Sequence, residues 1–377
     1  MRYCLALAAA ACLCTLGISG QNIGIDSHID TIQRVLIDNE DLGVRAGHGH
    51  ADLPRLIEGG VNAPFFSLWV PTYYKGAEAV RRTLDLRDAM QRVLDAHPDL
   101  IELALNASDV ERITRAHKIA AILSVEGGHQ IDNDLAVLRT YYRFGVRSMT
   151  LTHFRNTDWA DSSTDKPAHN GLTDFGKQVV REMNRLGMIV DISHVSDKTF
   201  YDTLAVTSKP VIASHSSCRA LSDVPRNMTD DMIRALAKNG GVIGINFGEG
   251  FLNPKDAELL KRAVNNISGT EPELTGRALD DYEAQEYHRD SATAAHYYAT
   301  IDDAVLHIDH AVKIAGIDHV GIGSDFDGIT APPKGLEDVS KMPALAAALR
   351  KKGYSDQDIH KIFGLNTLRV FREVAGK

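Results

Sequence analysis

The sequence predicts an α/β domain built as a (β/α)8, TIM-like barrel, and three features predict it. Short apolar runs alternate with segments of helical period, eight times along the chain. The runs are apolar at successive rather than alternate positions, as in strands covered on both faces of a parallel sheet. Most of them stop at a histidine or a carboxylate, which fits strand ends gathered at one functional mouth.

Residues 1–20 stand apart. Arg2 precedes the apolar run CLALAAAACLCTLGIS, shorter than the ~20 residues that span a bilayer. Small residues then lead into Gly20-Gln21, so the segment reads as a secretory signal peptide cut near Ser19 or Gly20. A secreted or periplasmic location follows. Lipoprotein attachment at Cys12 or Cys14 is not expected, because neither follows a Leu-x-small pattern. Cleavage would remove Cys4, Cys12 and Cys14, leaving Cys218 and no internal disulfide. The ending LRVFREVAGK has no hydrophobic tail for a lipid anchor.

From residue 21 to 377 one domain is expected. Strands are read at 23–30, 62–70, 119–126, 146–153, 188–194, 211–215, 242–247 and 320–325, and helices at 78–96, 107–117, 132–144, 173–186, 197–207, 230–238 and 296–315. Between the last two strands, 249–295 is long and polar and ends in DDYEAQEYHRDS. A loop of that length over a barrel mouth is expected to act as a lid. A net charge of −9 argues against a nucleic-acid partner and against a polybasic membrane anchor.

Six strands end in residues that bind metal or move protons: His28 and Asp30, Glu126, His153, His194, His215 and Asp325. His28 and Asp30 have the same parity on their strand and face one way. Three histidines with two or three carboxylates suit a pair of divalent ions, most naturally zinc. Glu126 has two oxygens and can bridge them. One ion would then take His28, Asp30 and Glu126, the other Glu126, His194 and His215. Of the remaining histidines, His129 follows Glu126 closely enough to support it, His169 is a loop residue with no role assigned, and His48, His50 and those on or beside helices are read as structural.

Several stretches resemble the membrane (renal) dipeptidase family. They are His28-x-Asp30, Ser124-Val125-Glu126-Gly127-Gly128-His129, Leu151-Thr152-His153, Asn156-Thr157-x-Trp159-Ala160-Asp161 and Asp191-Ile192-Ser193-His194. Ser214-His215-Ser216-Ser217, Arg226-Asn227, Gly323-Ser324-Asp325-Phe326-Asp327-Gly328 and the closing Gly364-Leu365-Asn366-Thr367-Leu368-Arg369-Val370-Phe371 continue the likeness in the same order. The resemblance implies a dinuclear zinc dipeptidase on a barrel of the metal-dependent hydrolase type, often a homodimer. Its metal ligands carry over onto His28, Asp30, Glu126, His194 and His215, with two Zn2+ bridged by Glu126 and a water or hydroxide. Its substrate-facing residues carry over onto His153, Arg226 and Asp325. Asp325 would accept the water's proton, His153 would donate to the oxyanion, and Arg226 would hold the dipeptide carboxylate. Ile29 stands where many members have asparagine, and Phe251 where mammalian members have a tyrosine. Two rivals are another amidohydrolase-type carbon–nitrogen hydrolase and a non-catalytic periplasmic metal or peptide binder. The first often begins His-x-His and bridges through a modified lysine; the second has no need of Asp325, His153 and Arg226 together.

Overall fold

Eight parallel strands are joined by hydrogen bonds in a computed structural model that describes residues 23–248, 250–258, 261, 264, 272–291 and 297–376. The signal-like segment 1–20 lies outside these residues. The strands are β1 (Phe65–Trp69), β2 (Ile101–Leu103), β3 (Ile119–Glu126), β4 (Val146–Thr150), β5 (Ile189–Asp191), β6 (Ile212–Ser216), β7 (Val242–Ile245) and β8 (Val320–Ile322). Their order is β1-β3-β4-β5-β6-β7-β8, with β2 paired outside this path to the first half of β3. β3 is buried at all eight positions, which is why its sequence is apolar without alternation.

The expected first strand is not a regular one. It closes the wall by single bridges, Asp26 to Ile322 and Ile29 to both Phe66 and Phe326. The Ile29 N–H donates to Phe65 O at 3.0 Å, and Asp30 N–H donates to Phe326 O at 2.8 Å. Side chains interrupt the ladder here. Asp26 Oδ1 accepts from the backbone N–H groups of His28 (3.2 Å) and Ser324 (2.9 Å), and the Ser27 hydroxyl donates to Ser214 O at 2.6 Å. Counting this segment, the wall has eight positions, as expected. β2, which lies outside the wall, was not expected.

The expected helices form within a few residues of their boundaries. Asp174–Leu186 shows the local reason: Thr173 accepts from Gly176 N–H at its start, and Gly187 ends it at φ +84°. The helix expected from 296 begins at Ile301, residue 296 itself lying outside the described residues. The helices Met342–Lys352, Asp356–His360 and Asn366–Ala375 fall beyond the strand–helix alternation and were not expected. The last of them packs Leu368, Val370 and Phe371 against Phe65, Ile122, Ile189 and Ile212, near the starts of their strands. That end is sealed with apolar side chains, so polar chemistry is left to the other.

The insertion at 249–295, expected as a polar loop, contains the helix Gly276–Ser291. It docks on the helix Ala77–Ala96 through a buried ion pair, Arg82 Nη2 to Glu283 Oε2 at 2.6 Å. The Tyr74 hydroxyl lies 2.8 Å from the same carboxylate, and Arg81 donates to Asp280 at 2.6 Å. Removing one partner of a buried pair costs about 3–5 kcal/mol, because the other charge is left alone. Arg82→Ala is therefore expected to speed amide exchange across 276–291 by ~100-fold or more while β3 stays protected. Pairing Arg82→Met with Glu283→Leu should restore most of that protection. Equal loss in the single and double variants would mean that the ion pair does not hold the helix.

Candidate active site

Every candidate ligand sits at the same end of the wall. Glu126 is the last residue of β3 and His215 lies in β6, while His28 and Asp30 lie on the closing segment. His153, His194 and Asp325 each stand three residues past the end of a strand, where the sequence had placed them inside one. The chain turns sharply at two of these exits, with His194 at φ +68° and Asp325 at φ +65°. Such backbone is uncommon for residues with a Cβ and recurs at functional sites.

The five side chains meet around one carboxylate. Glu126 Oε1 lies 3.0 Å from His194 Nε2 and 3.2 Å from His215 Nε2, and Glu126 Oε2 lies 3.4 Å from His28 Nε2. His28 Nε2 is also 3.4 Å from Asp30 Oδ2. All five residues are buried. His153 Nε2 stands 3.8 Å from Glu126 Oε1, and Asn246 Nδ2 donates to Asp325 Oδ2 at 2.9 Å. Three overlapping groups bring their ligand atoms within 4.8 Å of one another: His28, Glu126 and His215; Glu126, His153 and His194; His28, Asp30 and Asp325. The expected sets also lie together, Glu126 with His194 and His215, and His28 with Asp30 and Glu126, at the distances above. In addition, His153 approaches Glu126 and His194, and His215 approaches His28.

The donor set fits cations. His194 Nε2 and His215 Nε2 stand 2.9 Å apart beside the same carboxylate oxygen. His28 Nε2 and Asp30 Oδ1 are buried without a hydrogen-bond partner. Imidazole nitrogen and carboxylate oxygen together suit borderline divalent metals. Burial also pushes Glu126 above the usual carboxylate range, against the pull of His28, and pushes Asp325 up to about 8. Burial lowers His153, His194 and His215 well below the usual imidazole range, helped by neighbouring Arg226. Neutral imidazole is the form that binds a metal. His28 is the exception: burial opposes its charge, but Glu126 and Asp30 outweigh burial and raise it.

A second layer orients these groups. The Ser214 hydroxyl donates to Asp191, so it can only accept from His215 Nδ1, 2.7 Å away. His215 must then carry its proton on Nδ1, which leaves the lone pair of Nε2 available to a cation beside Glu126. Asp191 also accepts from Thr150 Oγ1 at 2.7 Å and from the Ser193 and Ser214 N–H groups at 3.0 Å. Neither Asp191 nor Asn246 was read as functional, although both sit in quoted or neighbouring motifs. Their signal was proximity to a strand end, and Asp191 stands three residues before His194, which drew the attention in that motif.

Arg226 is not a surface residue. It is 3% exposed, donates from Nη2 to His215 O at 3.1 Å, and has Nε buried without a partner. Its guanidinium carbon lies 5.1 Å from the centre of the Phe251 ring, so the residue read as a tyrosine replacement supports the arginine by its face. Burial pulls Arg226 down to about 10. Two of the histidines read as structural bond to backbone groups. His307 accepts from Cys218 N–H through Nδ1 and lies 3.0 Å from Leu252 O through Nε2, and His50 Nδ1 accepts from Asp327 N–H at 2.9 Å. His129 is buried against the Val70 and Pro71 backbone, and burial lowers it to about 4.

Residues 17–376 match the model of the membrane dipeptidase family, peptidase family M19. The chain is 38% identical over 336 residues to "Dipeptidase tcpJ" of Claviceps purpurea, covering 86% of this chain and 69% of that protein. It is 34% identical to "Dipeptidase 3" of Mus musculus, covering 93% of this chain and 64% of the mouse protein. Among solved structures it is similar to the probable dipeptidase PvdM from Pseudomonas aeruginosa, at 27% identity and a TM-score of 0.80, over 94% of this chain and 96% of that one. A metallo peptidase from Rhodobacter sphaeroides, liganded with a phosphinate mimic of the dipeptide L-Ala-D-Ala, shares 25% identity and a TM-score of 0.76, over 94% and 100% of the two chains. With the family model matched along nearly its whole length, the chain belongs to the membrane dipeptidase family.

Proposed function

We propose that this protein hydrolyses dipeptides with two zinc ions held by His28, Asp30, Glu126, His194 and His215, Glu126 being shared between them. When bound, two divalent cations lower the pKa of a water that they share and polarise the scissile carbonyl. The protein's own groups do the rest. Asp325, fixed by the Asn246 amide, accepts the proton of the attacking water and passes it to the leaving amine. His153, kept neutral by burial, donates to the carbonyl oxygen as negative charge develops there. Arg226 takes the C-terminal carboxylate, which lets the site measure substrate length.

The observation that carries this reading is the unpaired nitrogen of Arg226. A buried guanidinium with a free N–H, stacked on Phe251 and beside the His215 backbone, invites an anion. A dipeptide brings one fixed carboxylate of the right geometry. The relatives' names, and the dipeptide mimic in the Rhodobacter structure, support the same substrate class. The signal-like segment 1–20 directs the chain out of the cytoplasm, the insertion at 249–295 serves as a lid, and the enzyme works as a homodimer. Among the described residues no helix is long and apolar enough to cross a membrane.

Glu126→Gln is expected to lose metal at both positions, since a neutral amide cannot compensate two cations. Metal analysis of the purified variant decides it, and two tightly held ions per chain would end the bridging assignment. Asp325→Asn, by contrast, should keep both ions and lower kcat by ~10²–10⁴. Near-normal turnover would mean that another group carries the proton.

Arg226 can be tested against its ligand. Arg226→Ala should reduce kcat/KM for a free dipeptide by ~30-fold or more, and amidation of the substrate carboxylate should do the same to the unaltered enzyme. The two losses share one interaction, so together they should fall well short of their product. Fully multiplicative losses would place the function of Arg226 elsewhere.

A further inference from the structure

Asp327 stands two residues beyond Asp325, on backbone that is ill suited to it. A turn closed by Gly328 N–H to Asp325 O at 3.0 Å carries Asp327 at φ +66°. That conformation favours glycine, and a Cβ there is unfavourable. Glycine is instead the next residue. A side chain retained against that preference has contacts that outweigh it.

Those contacts tie three pieces of chain together. Asp327 Oδ1 accepts from His50 N–H at 2.6 Å, and Oδ2 accepts from the Thr31 hydroxyl at 2.6 Å and from Ala51 N–H at 3.2 Å. The Asp327 N–H donates back to His50 Nδ1 at 2.9 Å. Arg34 Nη1 supplies the countercharge 3.6 Å from Oδ2, both side chains being buried. Arg34 is itself held by Ala51 O at 2.7 Å and by Glu40 Oε2 at 3.1 Å from Nε. One carboxylate thus pins the turn to the closing segment at Thr31 and to the loop at His50 and Ala51.

The two segments it joins carry groups of the site. Thr31 follows Asp30, and the turn begins at Asp325. Backbone bonds already pair them, Asp325 N–H to His28 O at 3.1 Å and Asp30 N–H to Phe326 O at 2.8 Å. The bond from Thr31 to Asp327 extends that pairing by one step with side chains. The fit inside the turn is close. A Cβ on Gly328 would stand 2.2 Å from Asp30 Oδ2 and 2.5 Å from Asp325 Oδ1. His28, Asp30 and Asp325 bring ligand atoms within 4.8 Å of one another. Two carboxylates so near repel, which drives the turn outward, and the bonds of Asp327 oppose that movement.

We propose that Asp327 is a positioning residue for proton transfer. Through Thr31, His50 and Arg34 it holds the turn that presents Asp325 to the attacking water. This step rests on the role of Asp325 proposed above. A base acts only within hydrogen-bond reach of the proton it takes, and a misplacement of ~1 Å can cost ~100-fold in rate. Asp327 acts through Asp325 and not on the substrate.

Asp327→Gly removes the carboxylate while suiting the backbone. On the metal-loaded enzyme it should lower kcat by ~10–100-fold, with KM for a dipeptide and metal content per chain within ~2-fold of the unaltered protein. Asp327→Asn tolerates the same φ and keeps an acceptor for His50 N–H, so it should recover part of that loss. Amide exchange at His50 and Ala51 should quicken in Asp327→Gly while β3 stays protected. The decisive measurement places Asp327→Gly in the Asp325→Asn enzyme. There the second change should add little, because the group it positions is already gone. A merely structural role would lower the residual rate by the same factor as in the unaltered enzyme, and that result overturns the inference. So does an Asp327→Gly enzyme of normal kcat, or one that loses metal in step with its activity. Should Asp327→Gly fail to fold, the same cycle run with Thr31→Val decides by the same criterion. Near-normal turnover of Asp325→Asn overturns the base and this inference with it. A slow Asp325→Asn beside a normal Asp327→Gly overturns this inference alone.

Discussion

Glu126 ends β3 at 3% exposure, with three imidazole nitrogens within 3.4 Å of its two oxygens. A carboxylate so far out of water is costly unless positive charge meets it. In the chain alone His28 faces it: burial opposes the charge of this imidazole, but Glu126 and Asp30 raise its pKa. The other two imidazoles are neutral and contribute lone pairs. Protons and cations would compete for one set of atoms, since a metal takes imidazole in its neutral form. Most of what surrounds Glu126 either supplies that compensation or keeps water from doing so.

The surrounding layer is rigid for the same reason. Asp191, Ser214 and His215 form a chain in which each hydroxyl and N–H has one allowed direction. Asp26 ties the closing segment to the β8 exit through the N–H groups of His28 and Ser324. Burial pushes Asp26 up to about 6, so this tie also depends on a carboxyl taken from water. Irregular backbone follows from these bonds. The first segment gives up a regular ladder to hold His28 and Asp30, and His194 and Asp325 leave their strands in left-handed turns. Precision at the mouth is obtained by weakening local regularity, which the sealed opposite end can tolerate.

That exchange explains what could be read from the sequence. Strands β3 and β7 were legible because both faces are buried and their residues say so: AAILSV and VIGI. The candidate ligands were legible as a group, because histidine and carboxylate at so many strand ends together have few structural uses. The form of the first strand was not, since DSHID pairs through side-chain bonds to residues almost 300 positions away. The helix Gly276–Ser291 was missed because its outward faces are charged and little of it is apolar; its anchors are Leu279 and an ion pair to Arg82. Asp191 and Asn246 were invisible as functional residues for a related reason: their work is to orient another group.

The same logic separates the two sides of the mouth. On the β6 side the unpaired atom is a cationic nitrogen, Arg226 Nε, backed by an aromatic face and by carboxylates at longer range. On the β1 side the unpaired atoms are neutral, an indole N–H, an amide oxygen and a hydroxyl. A free dipeptide is asymmetric in the same sense, with a fixed carboxylate at one end and a variable side chain near the other. An anion reaching the β1 side finds acidic groups as well as basic ones, whereas at Arg226 it finds an immediate cation. If Arg226 takes the carboxylate as proposed, charge at the β6 side would set the orientation of a dipeptide before any weaker contact could act.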